Sequence, residues 1–339
     1  MTKGRIEQHK RIDQCTQKVL DRLPDAVTEF YYSMTANKRT SPTKHIYVCH
    51  VDNFLRFYSD ILKKNCIDLD CEDIKNIRTS TIERYIIYRR GSDGNEISDS
   101  TMCVILSALG CFFEFLMSHD YIEKDPFNGK IKKPSCNSSN PVVYLTVDEI
   151  NTVLNNIKTG NIGGKYKRGN DDWMTRDMLL FLIPIYTGIR VSALSNINVE
   201  DINIEENYFT GTDKRDKTRD YHFDDSIKTL ILQYLEIRKR KLDGINTDAF
   251  FVGNQKQRLS ARSISTVVNR YTFNIGKHIT PHKLRSTCGT ILYVQTGDIY
   301  YVSKVLGHEN VNTTKRYTDV SEDKIAGAAS IFGSILEIV

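Results

Sequence analysis

Apolar positions in the first third of the chain recur at the helical period. Between Asp25 and Met34, Val27, Phe30, Tyr31 and Met34 lie three or four residues apart, and the run NKRTSP then breaks the pattern. Ser41 followed by Pro42 predicts a helix start, because serine caps a free N–H and proline at the first position has no N–H to lose. From Pro42 to Leu62 the stripe Ile46, Val51, Phe54, Leu55 and Tyr58 predicts an amphipathic helix. A further helix is expected over Ser80 to Arg90, ended by GSDGNE, and another over Ser100 to His119. The last is apolar around most of its circumference and is expected to be the most buried of a small helical bundle. Its aromatic residues Phe112, Phe113 and Phe115, with Phe54 and Phe57, are read as core and not as base-stacking platforms.

Between 128 and 140 the composition changes to GKIKKPSCNSSN, a polar, lysine-bearing stretch that marks a domain boundary. Thr146 and Glu149 then form a T-x-x-E capping box ahead of an apolar run. The segment TGNIGGKYKRGNDDW invites a nucleotide-loop reading, which fails. Thr159 stands where the first glycine is required, and Tyr166 replaces the magnesium-binding Ser/Thr. A buried helix over Arg176 to Tyr186 leads into Thr187-Gly188-Ile189-Arg190. Short strands are expected at Asp201 to Ile204, Tyr208 to Thr212 and Arg219 to Phe223, with the turn TDKRDKT between the last two. Helices resume over Ser226 to Lys241 and Ser260 to Tyr271. In the tail, Ile331, Phe332, Ile335 and Leu336 fall at helical spacing.

The chain has 339 residues, enough for two domains with real cores, and a formal charge of +5, which permits nucleic-acid binding without announcing it. Eight cysteines are scattered with no C-x-x-C pair and no matching histidine spacing, so they read as reduced thiols and not as a zinc site. The amino terminus MTKGRIEQHKRIDQ lacks an apolar signal region, and no uninterrupted apolar run approaches membrane-spanning length. A soluble, cytoplasmic protein with no membrane partner is expected.

Candidate chemistry concentrates between His282 and Tyr317. His282 and Arg285 are three residues apart, so on a helix they share a face and reach one anion. His308 follows Gly307, and Thr313, Thr314, Lys315 and Arg316 lead to Tyr317. Alone, each of these is more ordinarily a core or surface residue; the set points to a phosphate gathered by donors beside a phenol.

These residues resemble the tyrosine recombinase (phage integrase, Xer-like) family: Arg190 in TGIRVSAL, Lys214 in GTDKRDKTRDYHF, His282 and Arg285 in HKLR, His308 in LGH and Tyr317 in TTKRY. The upstream phrase STMCVILSALGCFFEFLMSHDYIEKDPF is also similar, so the resemblance covers nearly the whole chain. It implies a mainly α fold with a small antiparallel β-sheet. A helical, SAM-like core-binding domain (1–127) would be joined by a basic linker (128–142) to a mixed α/β catalytic domain (143–321), with a tail helix (322–339) exchanged between protomers. The implied activity is site-specific strand exchange through a 3′-phosphotyrosyl intermediate, with no metal and no cofactor. The implied partners are double-stranded DNA carrying inverted-repeat sites and a homotetramer on two duplexes, in association with the nucleoid.

The resemblance assigns Tyr317 as nucleophile, Lys214 as donor to the leaving 5′-oxygen, His282 as base, and Arg190, Arg285 and His308 as donors to the phosphate. Lys217 competes with Lys214 for its part. Lys44, Lys130, Lys132, Lys133, Arg262 and Arg270 are candidate DNA contacts, with a merely solvated hinge as the alternative for the linker lysines. The family often has an acid three residues after the first arginine; here that position is Ala193. Two competing functions are a type IB topoisomerase-like nicking-closing enzyme and a DNA-binding relative without chemistry.

Overall fold

A computed structural model of the chain describes residues 3–91, 97–127, 129, 131–135, 142–163, 173–213, 217–308 and 314. It is mainly helical, with one three-stranded antiparallel sheet among the described residues. One compact unit spans 6–139 and the other 140–339 together with 1–5.

The first unit is built from α1 (Lys3–Leu20), α2 (Asp25–Ala36), α3 (Ser41–Leu62), α4 (Cys71–Lys75), α5 (Thr79–Arg90) and α6 (Asp99–Ser118). Two of these six helices were not predicted. In α1 polar residues fill most positions, so no apolar stripe announces it, and α4 is a single turn held by a reciprocal capping box between Asp70 and Asp73. The start of α3 also differs from expectation. Thr40 is the cap residue, Ser41 lies inside the helix, and its hydroxyl donates to Asp13 instead of capping.

The core of this unit gathers Val48, Val51, Phe54 and Leu55 of α3 with Ile105, Leu109, Phe112, Phe113 and Leu116 of α6. Phe54 meets Phe113 and Tyr85 edge to face, so the aromatic stripe is core, and burying each ring contributes about 1.5–3 kcal/mol. Ile46, expected on the stripe, is exposed. By length and composition α6 could cross a membrane, but the residues that make it apolar are largely those of this core.

The second unit carries α7 (Val147–Thr159), α8 (Met174–Thr187), α9 (Val191–Ser195), β1 (Ile202–Asn203), β2 (Tyr208–Thr212), β3 (Thr218–His222), α10 (Asp225–Leu242), α11 (Ala261–Tyr271), α12 (Pro281–Thr296) and α13 (Ile299–Leu306). The capping box of Thr146 and Glu149 forms as predicted. Helix α8 is buried on nearly every side and packs on α10 and α12. Its charged pair Arg176 and Asp177 is satisfied internally. Arg176 donates to Asp177 and to the Val252 carbonyl, and the Tyr271 hydroxyl donates to Asp177 at 2.9 Å. The sheet order is β1-β2-β3, with Phe209 opposite Tyr221 and Gly211 opposite Arg219. Phe209 and Tyr221 stack at 5.4 Å, and a Cβ on Gly211 would lie 2.8 Å from the Tyr221 ring, so glycine there lets the ring lie flat on the strand.

Candidate active site

The candidate site is assembled on the carboxyl end of α13. A helix leaves its last carbonyls without intrahelical partners and gathers partial negative charge there. Gly307, at φ +61°, turns the chain out of the helix, and the His308 amide donates back to the Ser303 carbonyl at 3.0 Å. Three arginines from other elements take carbonyls at this end. Arg219 of β3 donates to Lys304 at 2.9 Å, Arg285 of α12 to Leu306, and Arg190 to Gly307 at 3.2 Å. Arg190 and Arg285 therefore meet at consecutive carbonyls, although 95 positions separate them in the chain.

Arg285 is only 2% exposed, and its other terminal nitrogen donates to the Gly188 carbonyl. Its guanidinium thus ties the end of α8 to the end of α13. Gly188, at φ +64°, is the left-handed cap of α8, and a Cβ there would come within 2.5 Å of Leu306. Both the conformation and the close approach require glycine, which explains the Thr-Gly-x-Arg spacing: the turn delivers Arg190 two residues later at the head of α9. The side chain of Arg190 is 25% exposed, and its Nη1 pairs with Asp213 Oδ1 at 2.7 Å.

The remaining predicted residues distribute as follows. His282 is exposed in the first turn of α12, one turn before Ser286, whose hydroxyl donates to the His282 carbonyl. His308 is half-buried, and its Nδ1 lies 2.9 Å from the hydroxyl of the buried Thr314. Lys214 and Tyr317 lie outside the described residues, as do Lys130 and the tail positions 331–336. Lys217 is exposed, and its carbonyl accepts from the Asp213 amide at 2.8 Å.

Asp213, Arg219 and Thr314 were not anticipated as parts of the site. Asp213 had one signal, its place immediately before Lys214; Arg219 had another, its lead position on the third strand. Beneath the site, Cys288 is buried, and burial pushes its thiol up to about 12, so it remains a neutral filler under Gly188. Burial, and next the Asp213 carboxylate, raises Tyr221, so its phenol remains the donor in its 3.2 Å bond to Asp213 Oδ2. Among the described residues no three histidine, cysteine, aspartate or glutamate side chains gather as a metal site would.

The DNA-contact candidates divide. Lys132, Lys133 and Arg262 are exposed, with Lys133 donating to Ser107 at 3.0 Å, and Arg270 is half-buried. Lys44 is corrected: it is 6% exposed, its ammonium donates to Tyr31 and Thr35, and it sits 4.3 Å from the Tyr31 ring centroid. Helix α3 turns this position inward, where the amine donates to hydroxyls of α2 instead of standing out in solvent.

Comparison with known proteins gives a consistent picture. The model of the Phage integrase family matches residues 143–324. A tyrosine recombinase XerC of Caldanaerobacter subterraneus subsp. tengcongensis is 26% identical over 324 residues, covering 91% of this chain and 86% of that protein. A tyrosine recombinase XerS of Streptococcus agalactiae is 24% identical over 336 residues, covering 89% and 93%. Among solved structures, the fold is similar to a XerH site-specific recombinase bound to a palindromic difH substrate in a post-cleavage complex. There the TM-score is 0.62 and the identity 20%, over 88% of this chain and 82% of the other. It is also similar to a lambda integrase dimer bound to a COC′ core site, with a TM-score of 0.58 and 15% identity over 88% and 95%.

Proposed function

The chain belongs to the phage integrase family, and from that premise we propose that it is a site-specific DNA recombinase that cuts and rejoins strands through a covalent phosphotyrosyl link. The observation that carries this reading is the meeting of Arg190 and Arg285 at consecutive carbonyls beside His308.

A phosphodiester is anionic, and its pentacoordinate transition state places more charge on the non-bridging oxygens. Preorganised donors aimed at that charge are worth about 2.7–4 kcal/mol each in comparable oxyanion sites. The guanidinium of Arg190 suits this task because its planar fork matches two phosphate oxygens. Arg285 and His308 add positive charge and a further donor, and Arg219 strengthens the local field.

In the proposed step the Tyr317 oxygen forms a bond to phosphorus and the bond from phosphorus to the 5′-oxygen breaks. A phenol has an ordinary pKa near 10, so His282 takes its proton, and Lys214 gives one to the departing 5′-oxygen. The product is a 3′-phosphotyrosine and a free 5′-hydroxyl. Attack by the 5′-hydroxyl of a second duplex reverses the chemistry and conserves the bond energy, so neither ATP nor metal enters the balance. Two duplexes exchanging strands in this way require four protomers. We therefore assign a homotetramer on inverted-repeat sites, with Lys130, Lys132, Lys133, Arg262 and Arg270 as DNA contacts and the tail helix exchanged between neighbours.

Incubation with a nicked suicide duplex tests the reading. Wild-type protein is expected to become covalently joined to the 3′ strand, and Tyr317→Phe to bind without joining. An adduct formed by Tyr317→Phe, or none by wild type on its own site, defeats it.

A further inference from the structure

Asp213 directly follows β2, and its two carboxylate oxygens meet different partners, Oδ1 as an ion pair without hydrogen-bond alignment and Oδ2 as a hydrogen-bond acceptor. Oδ1 lies 2.7 Å from Nη1 of Arg190, and Oδ2 accepts from the Tyr221 hydroxyl at 3.2 Å. The Asp213 side chain is 10% exposed, so this pair is sheltered from the solvent screening that makes open surface ion pairs nearly worthless. The carboxylate itself is not free to wander. The Tyr221 ring is 3% exposed and stacked on Phe209 at an interplanar angle of 18°, while the Asp213 amide is bound to the Lys217 carbonyl across the hairpin.

At position 193, one helical turn beyond Arg190, stands a buried alanine, which offers no acid. The carboxylate that grips Arg190 arrives instead from the hairpin. Each terminal nitrogen of a guanidinium carries two hydrogens. Nη1 faces the Asp213 carboxylate as an ion pair and Nη2 donates one hydrogen to the Gly307 carbonyl, so each nitrogen keeps at least one hydrogen for a phosphate oxygen.

We propose that Asp213 is a positioning residue for strand cleavage, one that fixes the Arg190 guanidinium against the scissile phosphate and ties its orientation to the hairpin that continues into Lys214. This rests on the recombinase reading above. It adds that in this chain the arginine's orientation comes from the residue that follows β2, next in sequence to the proposed proton donor, and not from its own helix. Removing the charge at 213 weakens the hold on Nη1 and leaves the bond to the Gly307 carbonyl as the stronger restraint on Arg190 among the described residues.

The test is the rate of covalent adduct formation in a single turnover on the suicide duplex, with enzyme saturating, for wild type, Asp213→Asn and Asp213→Glu. Asparagine keeps the shape and an acceptor oxygen but not the charge. It is expected to slow adduct formation by about 10–100-fold, the range seen when a carboxylate that orients a metal-ligating side chain is removed, with DNA affinity unchanged. Glutamate is expected to recover part of the rate.

A duplex with sulfur at the bridging 5′ position separates the two neighbours of Asp213, because a thiolate leaves without a proton. The Asp213→Asn defect should persist on that duplex. Recovery there would mean that the carboxylate acts through Lys214, and the proposal falls. An Asp213→Asn protein that cleaves as fast as wild type, or faster because the carboxylate competes with phosphate, also overturns it. Wild-type protein that forms no adduct sinks the recombinase reading itself, an outcome distinct from equal rates in wild type and variant.

Discussion

Arg285→Lys separates two things that Arg285 does at once. The arginine is 2% exposed and donates to two carbonyls, Gly188 on one nitrogen and Leu306 on another. Lysine keeps the charge but is a single point donor on a longer, flexible stem, so it serves at most one of these carbonyls at a time. The other carbonyl is left buried without this partner, which costs about 1–3 kcal/mol. For a unit of this size each kcal/mol lowers the melting temperature by about 2–4 °C, so a fall of about 2–12 °C is expected. Arg285→Ala leaves both carbonyls short and should fall further.

The assay pairs thermal unfolding, followed by far-ultraviolet circular dichroism, with adduct formation measured well below the lower melting temperature. At that temperature Arg285→Lys should be folded yet cleave about 100-fold or more slowly, the loss expected when one oxyanion donor is misplaced. A lysine variant that melts with wild type would refute the tie between α8 and α13. One that melts low but cleaves normally would show that Arg285 serves the fold alone.

Lys44→Met removes the ammonium's bonds to the half-buried Tyr31 hydroxyl and the exposed Thr35 hydroxyl, both of which keep another partner. It should therefore cost about 0.5–1.5 kcal/mol and leave the salt dependence of DNA binding untouched. A slope smaller by about one in a plot of log affinity against log salt would restore Lys44 as a phosphate contact. The Cys288 thiol, raised from 9.0 to about 12 by burial, holds its proton more tightly in the folded state than in the unfolded one. Its contribution is therefore complete below pH 9.0 and is lost as pH rises towards 12, at up to about 1.36 kcal/mol per pH unit. Melting curves at about pH 8 and about pH 10 should show a smaller alkaline loss for Cys288→Ala than for wild type. Equal losses would count against a titrating buried thiol.

The periodic elements were legible in the chain because their cause is local. The apolar interval of three and four in α2, the alternation of β2 and the capping box at Thr146 each report a residue's burial through its immediate neighbours. The polar helix α1 was not legible, since it has no apolar stripe to reveal its period, and the single turn of α4 is too short to show one. The inward face of Lys44 was hidden for a related reason. A lysine reads as solvated unless hydroxyls from another helix are known to wait for it.

The amino-acid order by itself determined which side chains are candidates for phosphate chemistry, because motifs such as Thr-Gly-x-Arg and Leu-Gly-His carry their own turn geometry. Which carboxylate holds Arg190 was decided only in three dimensions. Asp213 and Arg190 are 23 positions apart, and no propensity at either position encodes the other. The same holds for the three arginines on the end of α13. Unsatisfied carbonyls and partial charge exist there only after the helix has formed, and guanidiniums from β3, α12 and the α8–α9 turn reach them only after those elements have packed.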